Sequence, residues 1–313
     1  MCDFQELKAL FLPALVLSAV LAGGVAYGWP AGTPQPNRYA LPPASDEVKA
    51  EAAAAKERLK GKLSPACLVG HRGDSEAAPQ NTVPAFKAAA ESGFNIETDI
   101  FMTKDGVLFV THDKFLCRPG SGMNTFSTNA VWKGQLENAD AGAWKGAKWK
   151  GVKYPTIDDV LEFAKDGRFI ILEIKDPRKA EVMSRIREAT GRHPNVNASN
   201  VFIQGGEPET LAKNLPGYRG IQCTLSRKGW SIFDPPKDMV AMVRHVNPAE
   251  RPILSLRWDE DVISKEFVDF AHSRGFKVMV WTVDDAPSAL AALGRGVDWI
   301  CTNRPATLWK EMQ

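Results

Sequence analysis

The chain has 313 residues, 44% of them hydrophobic and 24% charged, a composition that buries a sizeable core and excludes disorder as its overall state. Its 39 basic and 37 acidic residues leave a net charge of +2, without the basic face that nucleic-acid binding requires; a small molecule or a lipid headgroup is the expected partner. Five cysteines, at 2, 67, 117, 223 and 301, form no Cys-x-x-Cys pair, which excludes a zinc knuckle and a disulfide framework.

Residues 9–28 form an uncharged apolar run of bilayer-spanning length. The preceding MCDFQELK sets Lys8 against Asp3 and Glu6, a poor positive region for a signal peptide, so a cleaved signal and an uncleaved membrane anchor both stay open. Either predicts a protein that is exported (periplasmic or secreted) or membrane-anchored, with its catalytic part outside the cytoplasm. Residues 29–63 read as a Pro/Ala-rich tether followed by a helix, N-capped by Ser45, with acidic residues in its first turn and basic ones in its last. The remaining domain, 64–313, contains no second linker-like stretch.

From Cys67 onward, short β-branched runs alternate with helical patterns, which predicts βαβ units and a parallel sheet; with the length, this makes a (β/α)8 TIM barrel the expected fold. Strand candidates fall at 67–71, 94–101, 107–112, 169–174, 201–204, 220–224, 252–258, 277–283 and 297–302, nine runs for eight places. GIQCT (220–224) is the weakest of them, and an extra strand outside the barrel explains the surplus equally well. Helices are predicted at 82–92, 157–165, 177–190, 260–273 and 285–293. The MTKDG link after the second run is too short for a helical crossover, so the chain either returns extended or turns as a hairpin at Asp105-Gly106. A Gly-rich segment with three tryptophans, 118–155, is expected as a loop over the barrel mouth.

Polar residues concentrate at the C-terminal ends of the strands, the face where barrel active sites lie: His71, Arg72, Glu97, Asp99, His112, Asp113, Glu173, Lys175, Gln204 and Trp281. The two-residue period of a strand puts Glu97 and Asp99 on one side of NIETDIF and pairs Glu173 with Lys175. Three inward carboxylates exceed what the nearby cations neutralise, and a divalent cation resolves the conflict; an all-oxygen set favours Mg²⁺ or Ca²⁺. His71 and His112 suit acid/base catalysis beside such an ion, while Arg72 and Lys175 suit phosphate, with Gln204 and Trp281 as further substrate-binding candidates. No nucleophile elbow, P-loop or dinucleotide fingerprint competes with this reading.

The motifs HRGDSEAAPQNTVPAF (71–86), GFNIETD (93–99), TKDGVLFVTHD (103–113), LEIK (172–175), WTVD (281–284) and GVDWICTNRP (296–305) resemble those of glycerophosphodiester phosphodiesterases, enzymes on a phospholipase C-like barrel. The resemblance spans residues 67–308 and implies Glu97, Asp99 and Glu173 as metal ligands, His71 and His112 as an acid/base pair, and Arg72 and Lys175 as phosphate contacts. The implied reaction releases an alcohol and glycerol 3-phosphate; the sequence leaves the roles of the two histidines unassigned. A phospholipase D-like action on intact lysophospholipids or sphingomyelin is the alternative. Two positions depart from the family pattern: Gln80 stands where Glu is usual, and Asn303 where Asp is usual, the latter expected to be a structural turn.

Overall fold

The structure is a computed structural model that describes residues 41–165, 167–205, 207–223 and 247–313. The apolar run 9–28, the tether up to residue 40 and His245 lie outside the described residues. Among those described, no helix is long and apolar enough to cross a membrane.

In chain order the strands are β1 (Leu68–His71), β2 (Asn95–Met102), β3 (Leu108–Val110), β4 (Phe115–Leu116), β5 (Thr125–Phe126), β6 (Ile170–Ile174), β7 (Val201–Gln204), β8 (Arg219–Cys223), β9 (Ile253–Arg257), β10 (Lys277–Trp281) and β11 (Trp299–Thr302). Eight of them, β1, β2 and β6 to β11, pair in parallel, and β1 joins both β2 and β11, closing the (β/α)8 barrel. The spare strand is therefore β3, not the 220–224 run. Gly106, at φ +84°, turns the chain at Asp105-Gly106, and β3 pairs antiparallel with β2 from Ile100↔Val110 to Met102↔Leu108. Without a crossover helix, no parallel pairing was open to it.

Alternation along the strands separates two apolar layers. Ile96, Ile100, Leu172, Ile174, Val278 and Val280 face outward into the main core beneath the helices. Val69, Ile171, Ile221, Ile253, Met279 and Cys301 fill the barrel, and Phe169 touches Phe202 and Trp299 edge-on. The interior is thus packed, and polar groups have room only at its rim.

The helices are α1 (Asp46–Leu59), α2 (Val83–Glu91), α3 (Ile157–Leu161), α4 (Lys179–Thr190), α5 (Pro208–Asn214), α6 (Lys265–Ser273), α7 (Ala286–Gly294) and α8 (Pro305–Met312). In α6 the 260–273 prediction shortens to the point where Ser264 caps the Phe267 N–H. The α5 and α8 segments were not predicted as helices; each opens on a proline, whose fixed φ suits a first turn. α1 lies against α7: Glu51 accepts from the Arg295 guanidinium at 2.8 Å and 3.0 Å, and Arg58 donates to the Gly294 carbonyl at 2.7 Å. A Cβ at Gly294 would stand 2.7 Å from that of Ala55, so glycine permits the close approach.

The Trp-containing segment is more than a loop. It holds β4, β5 and several 3₁₀ turns around its own small core of Leu116, Met123, Leu136 and Tyr154, which continues onto Phe101 and Phe109 of the β2–β3 hairpin. Asp176 fixes that hairpin to the barrel: it is fully buried, accepts the Met102 N–H at 3.0 Å and holds Arg178, which donates to the Met102 carbonyl.

Burial opposes the charge on Asp176, but its bonds to Arg178 and to backbone N–H groups outweigh that and keep its pKa below the ordinary value. Its contribution is therefore present above an Asp pKa of ~4 and fades as pH falls through the depressed folded value. Asp176→Ala is expected to destabilise the protein by ~1–3 kcal/mol at neutral pH, with the deficit shrinking in acid, as read by urea denaturation of both forms.

Candidate active site

The turn after β1 requires two glycines. A Cβ at Gly70 would lie 2.7 Å from the Gly73 carbonyl oxygen, and one at Gly73, φ +81°, would lie 2.6 Å from the Ala85 backbone. Between them Arg72 adopts φ +62°, and Asn81, further along the same loop, φ +57°. Left-handed backbone costs a side-chain-bearing residue ~1–2 kcal/mol, and both residues hold it where they bind carboxylates. The Arg72 N–H donates to Glu97 Oε2 at 3.0 Å, and its Nε lies 3.3 Å from Asp99 Oδ2. Asn81 donates to Asp99 Oδ2 at 2.8 Å while accepting the Thr98 hydroxyl at 2.8 Å.

Strand register assembles the rest. His71 stands opposite Glu97, Asp99 opposite Glu173, and Glu173 opposite Gln204, so neighbouring strands deliver one polar row around the mouth. Glu97, Asp99 and Glu173 bring ligand oxygens within 4.8 Å of one another. Lys175 Nζ lies 2.7 Å from Glu173 Oε1 and 3.5 Å from Asp99 Oδ1. His112 arrives by the hairpin: β3 runs back towards the mouth, and the Thr111 N–H bonds the Asp99 carbonyl at 3.1 Å.

Three carboxylates face two cations, and the imbalance falls on one of them. Burial opposes ionisation of Asp99, but Arg72 and Lys175 outweigh it and hold Asp99 below its ordinary pKa. For Lys175 burial is likewise outweighed, by Asp99 and Glu173, so its pKa is raised. Glu97 is pushed well above the carboxylate range, first by burial and then by the charges of Asp99 and Glu173. The set fits a hard divalent cation, which would neutralise that excess through oxygen ligands.

The two histidines differ. His71 Nδ1 lies 2.7 Å from Asn303 Oδ1, and the orientation of this amide is forced because Asn303 Nδ2 donates to the acceptor-only Asp284 Oδ2 at 2.7 Å. His71 therefore carries its proton on Nδ1 and keeps a lone pair on Nε2, which faces Glu97 at 4.0 Å. Burial, then the Arg72 charge, push its pKa down to about 3, so the ring is neutral. His112 has its Nδ1 3.8 Å from Asp113 Oδ1. Burial of Asp113 is outweighed by its bonds to His112 and Arg118, which keep it ionised.

All the proposed ligands, histidines and cations thus converge. Gln204 stands in the same row, buried, with no hydrogen bond to the others. Trp281 shares the inward side of β10 with Met279 and packs on the barrel filling, its indole N–H buried without a hydrogen-bond partner among the described residues. His193 and His272 are half-buried or exposed and pair with Asp158 and Asp298. Asn303 corrects the expectation of a plain turn, for its side chain joins His71 to Asp284. The motifs holding both residues were visible in the sequence, but not their contact with a residue 232 positions away.

A closed parallel barrel with these acid/base, carboxylate and cationic groups at its C-terminal mouth defines the class: an α/β-barrel enzyme that hydrolyses phosphoric diesters. The glycerophosphoryl diester phosphodiesterase family model matches residues 71–213 and 230–307, and the chain belongs to that family. The chain is 28% identical over 256 residues to the glycerophosphodiester phosphodiesterase of Caldanaerobacter subterraneus subsp. tengcongensis, covering 77% of this chain and 95% of that one. It is 28% identical over 261 residues to that of Bacillus subtilis, covering 76% and 83%. A phosphodiesterase from Oleispira antarctica, solved with the product sn-glycerol-3-phosphate, has the same fold, with a TM-score of 0.64 at 20% identity over 78% of this chain and 96% of that one. The glycerophosphodiester phosphodiesterase from Thermotoga maritima gives 0.58 at 22% identity over 78% and 97%.

Asn303→Leu removes the acceptor at His71 Nδ1. Long-range ¹H–¹⁵N NMR is expected to find one His71 tautomer in the native protein and a mixture in the variant, with kcat lower by roughly 10- to 100-fold and KM little changed.

Proposed function

We propose that the protein hydrolyses glycerophosphodiesters to an alcohol and glycerol 3-phosphate, dependent on Mg²⁺ or Ca²⁺, with His71 and His112 as base and acid. The observation that carries the proposal is the carboxylate trio, Glu97 and Asp99 buried and Glu173 half-buried, with one neutral, tautomer-fixed histidine beside it. Glu97, Asp99 and Glu173 would hold the cation, which when bound supplies positive charge to the reacting phosphoryl oxygens.

The chain's own residues do the remainder. Arg72, whose Nη2 has no partner among the described residues, and Lys175 orient the phosphate as fork and point charge. His71 accepts, at Nε2, the proton of the hydroxyl that attacks phosphorus. His112 donates a proton to the departing alcohol oxygen as its P–O bond breaks, and the Asp113 carboxylate steadies its ring. Where the attacking hydroxyl is the substrate's own, water then opens the cyclic ester with the two roles reversed. The apolar run 9–28 supports action outside the cytoplasm or at a membrane surface.

One observation favours a second reading, action on intact lysophospholipids. Phe115 and Phe126, just beyond His112, are 39% and 56% exposed and stack edge-on at 5.0 Å, an apolar surface suited to an acyl chain.

Purified protein with Mg²⁺ or Ca²⁺ is expected to release glycerol 3-phosphate from deacylated diesters faster than it cleaves the matching lysophospholipids. His71→Ala and His112→Ala should each lower kcat by roughly 10²–10⁴. A faster rate on lysophospholipids would favour the second reading, and silence on both classes would refute the first. Because the Glu97 pKa is raised, cation binding must expel its proton: affinity should weaken as pH falls through that raised value, and titration calorimetry in buffers of different ionisation enthalpy should detect the released proton.

A further inference from the structure

Beside His112 lies a small pocket lined by Gln80, Asn81, Thr111, Arg118 and Tyr154. Its polarity follows from which atoms are already engaged. Gln80 Oε1 accepts from Arg72 Nη1 at 2.9 Å, and a guanidinium only donates, so the amide is fixed with its NH₂ left to donate elsewhere. Arg118 gives Nε to Asp113 and lays its guanidinium over Trp144 at 4.5 Å, leaving both Nη groups without a partner among the described residues. Tyr154 is 6% exposed, its hydroxyl is buried without a hydrogen-bond partner among the described residues, and its ring is held edge-on by Phe109 at 6.3 Å. Burial raises that hydroxyl's pKa to about 12, so it stays a donor. Asn81 is tied down on both sides of its amide, the oxygen accepting from Thr98 and one N–H donating to Asp99.

Gln80, Arg118 and Tyr154 thus bring uncommitted donors to a pocket whose lining holds no carboxylate. We propose that this pocket binds oxygen atoms of the substrate's alcohol headgroup, so that Gln80, Arg118 and Tyr154 select glycerophosphodiesters with polyhydroxylic or anionic headgroups against those ending in a quaternary ammonium. The proposal rests on the glycerophosphodiesterase reading and narrows it. A trimethylammonium group offers these donors no acceptor, whereas an inositol or glycerol hydroxyl presents them an oxygen. Gln80 is decisive because glutamate, usual at this position, would turn a donor into a negatively charged acceptor. A site that hydrogen-bonds a substrate hydroxyl rejects analogues that leave its own groups unpaired.

The test uses the full chain with glycerophosphoinositol, glycerophosphoglycerol and glycerophosphocholine. The native kcat/KM is expected to favour the first two by roughly tenfold or more, a ratio that Tyr154→Phe reduces several-fold and Gln80→Glu moves towards choline. Ratios are read because damage to shared machinery through Arg72 scales all substrates alike. Calorimetric binding of the same diesters is measured alongside and should follow the same order without turnover. Equal native preference, or variants that lower every substrate in parallel, would overturn the pocket assignment while leaving the hydrolase reading intact. Selective binding with no cleavage of any diester would do the reverse.

Discussion

Gathering three carboxylates on adjacent strands, two of them buried, with only two cations to offset them is the constraint around which the mouth of this barrel is built. Two unit charges 4 Å apart interact by about 4 kcal/mol at the effective dielectric typical of proteins, more than the ~1–2 kcal/mol of a left-handed residue. That comparison explains why Arg72 and Asn81 hold unfavourable backbone. Each thereby turns a donor onto Glu97 or Asp99 from a loop that would otherwise pass them by. Neither donor offsets the remaining repulsion, which shows in Glu97, whose pKa burial and the neighbouring carboxylates push well above its ordinary range. The fold thus stores an electrostatic deficit of the sign a divalent cation relieves.

Delivery of the histidines follows two different routes. His71 comes on a barrel strand, and parallel register alone sets it opposite Glu97. His112 comes on a strand outside the barrel, returned to the mouth by a hairpin whose far end is fixed by Asp176 and Arg178. The small core built on that hairpin from Phe101, Phe109, Leu116 and Tyr154 supports His112 and the donor-lined pocket together. On the proposed reading, catalysis and headgroup choice would share one supporting wall.

What the sequence revealed of this arrangement was its short-range part. The two-residue period of NIETDIF and LEIK fixed which side chains enter the barrel, because alternation needs nothing beyond the strand itself. The choice between a weak GIQCT run and an extra strand outside the barrel stayed open for a related reason: GIQCT is weakly apolar on its own and becomes a barrel strand through its neighbours β7 and β9. Asn303 was taken for a turn because its role depends on two partners, His71 and Asp284, brought together only when β1, β10 and β11 lie side by side. The tautomer of His71, and with it the division of labour between the histidines, belongs to that long-range order.

The docking of α1 has a mechanical side. Glu51 and Arg58 bind Arg295 and the Gly294 carbonyl at the end of α7, so whatever precedes Ser45 is joined to the barrel first through a helix clamped between the last two strands' connections. A pull on the N-terminus is borne in shear across α1 and α7 before it reaches β1, the strand that carries His71. The clamp would act as a strain relief, taking up a load applied ahead of α1 before it reached the rim.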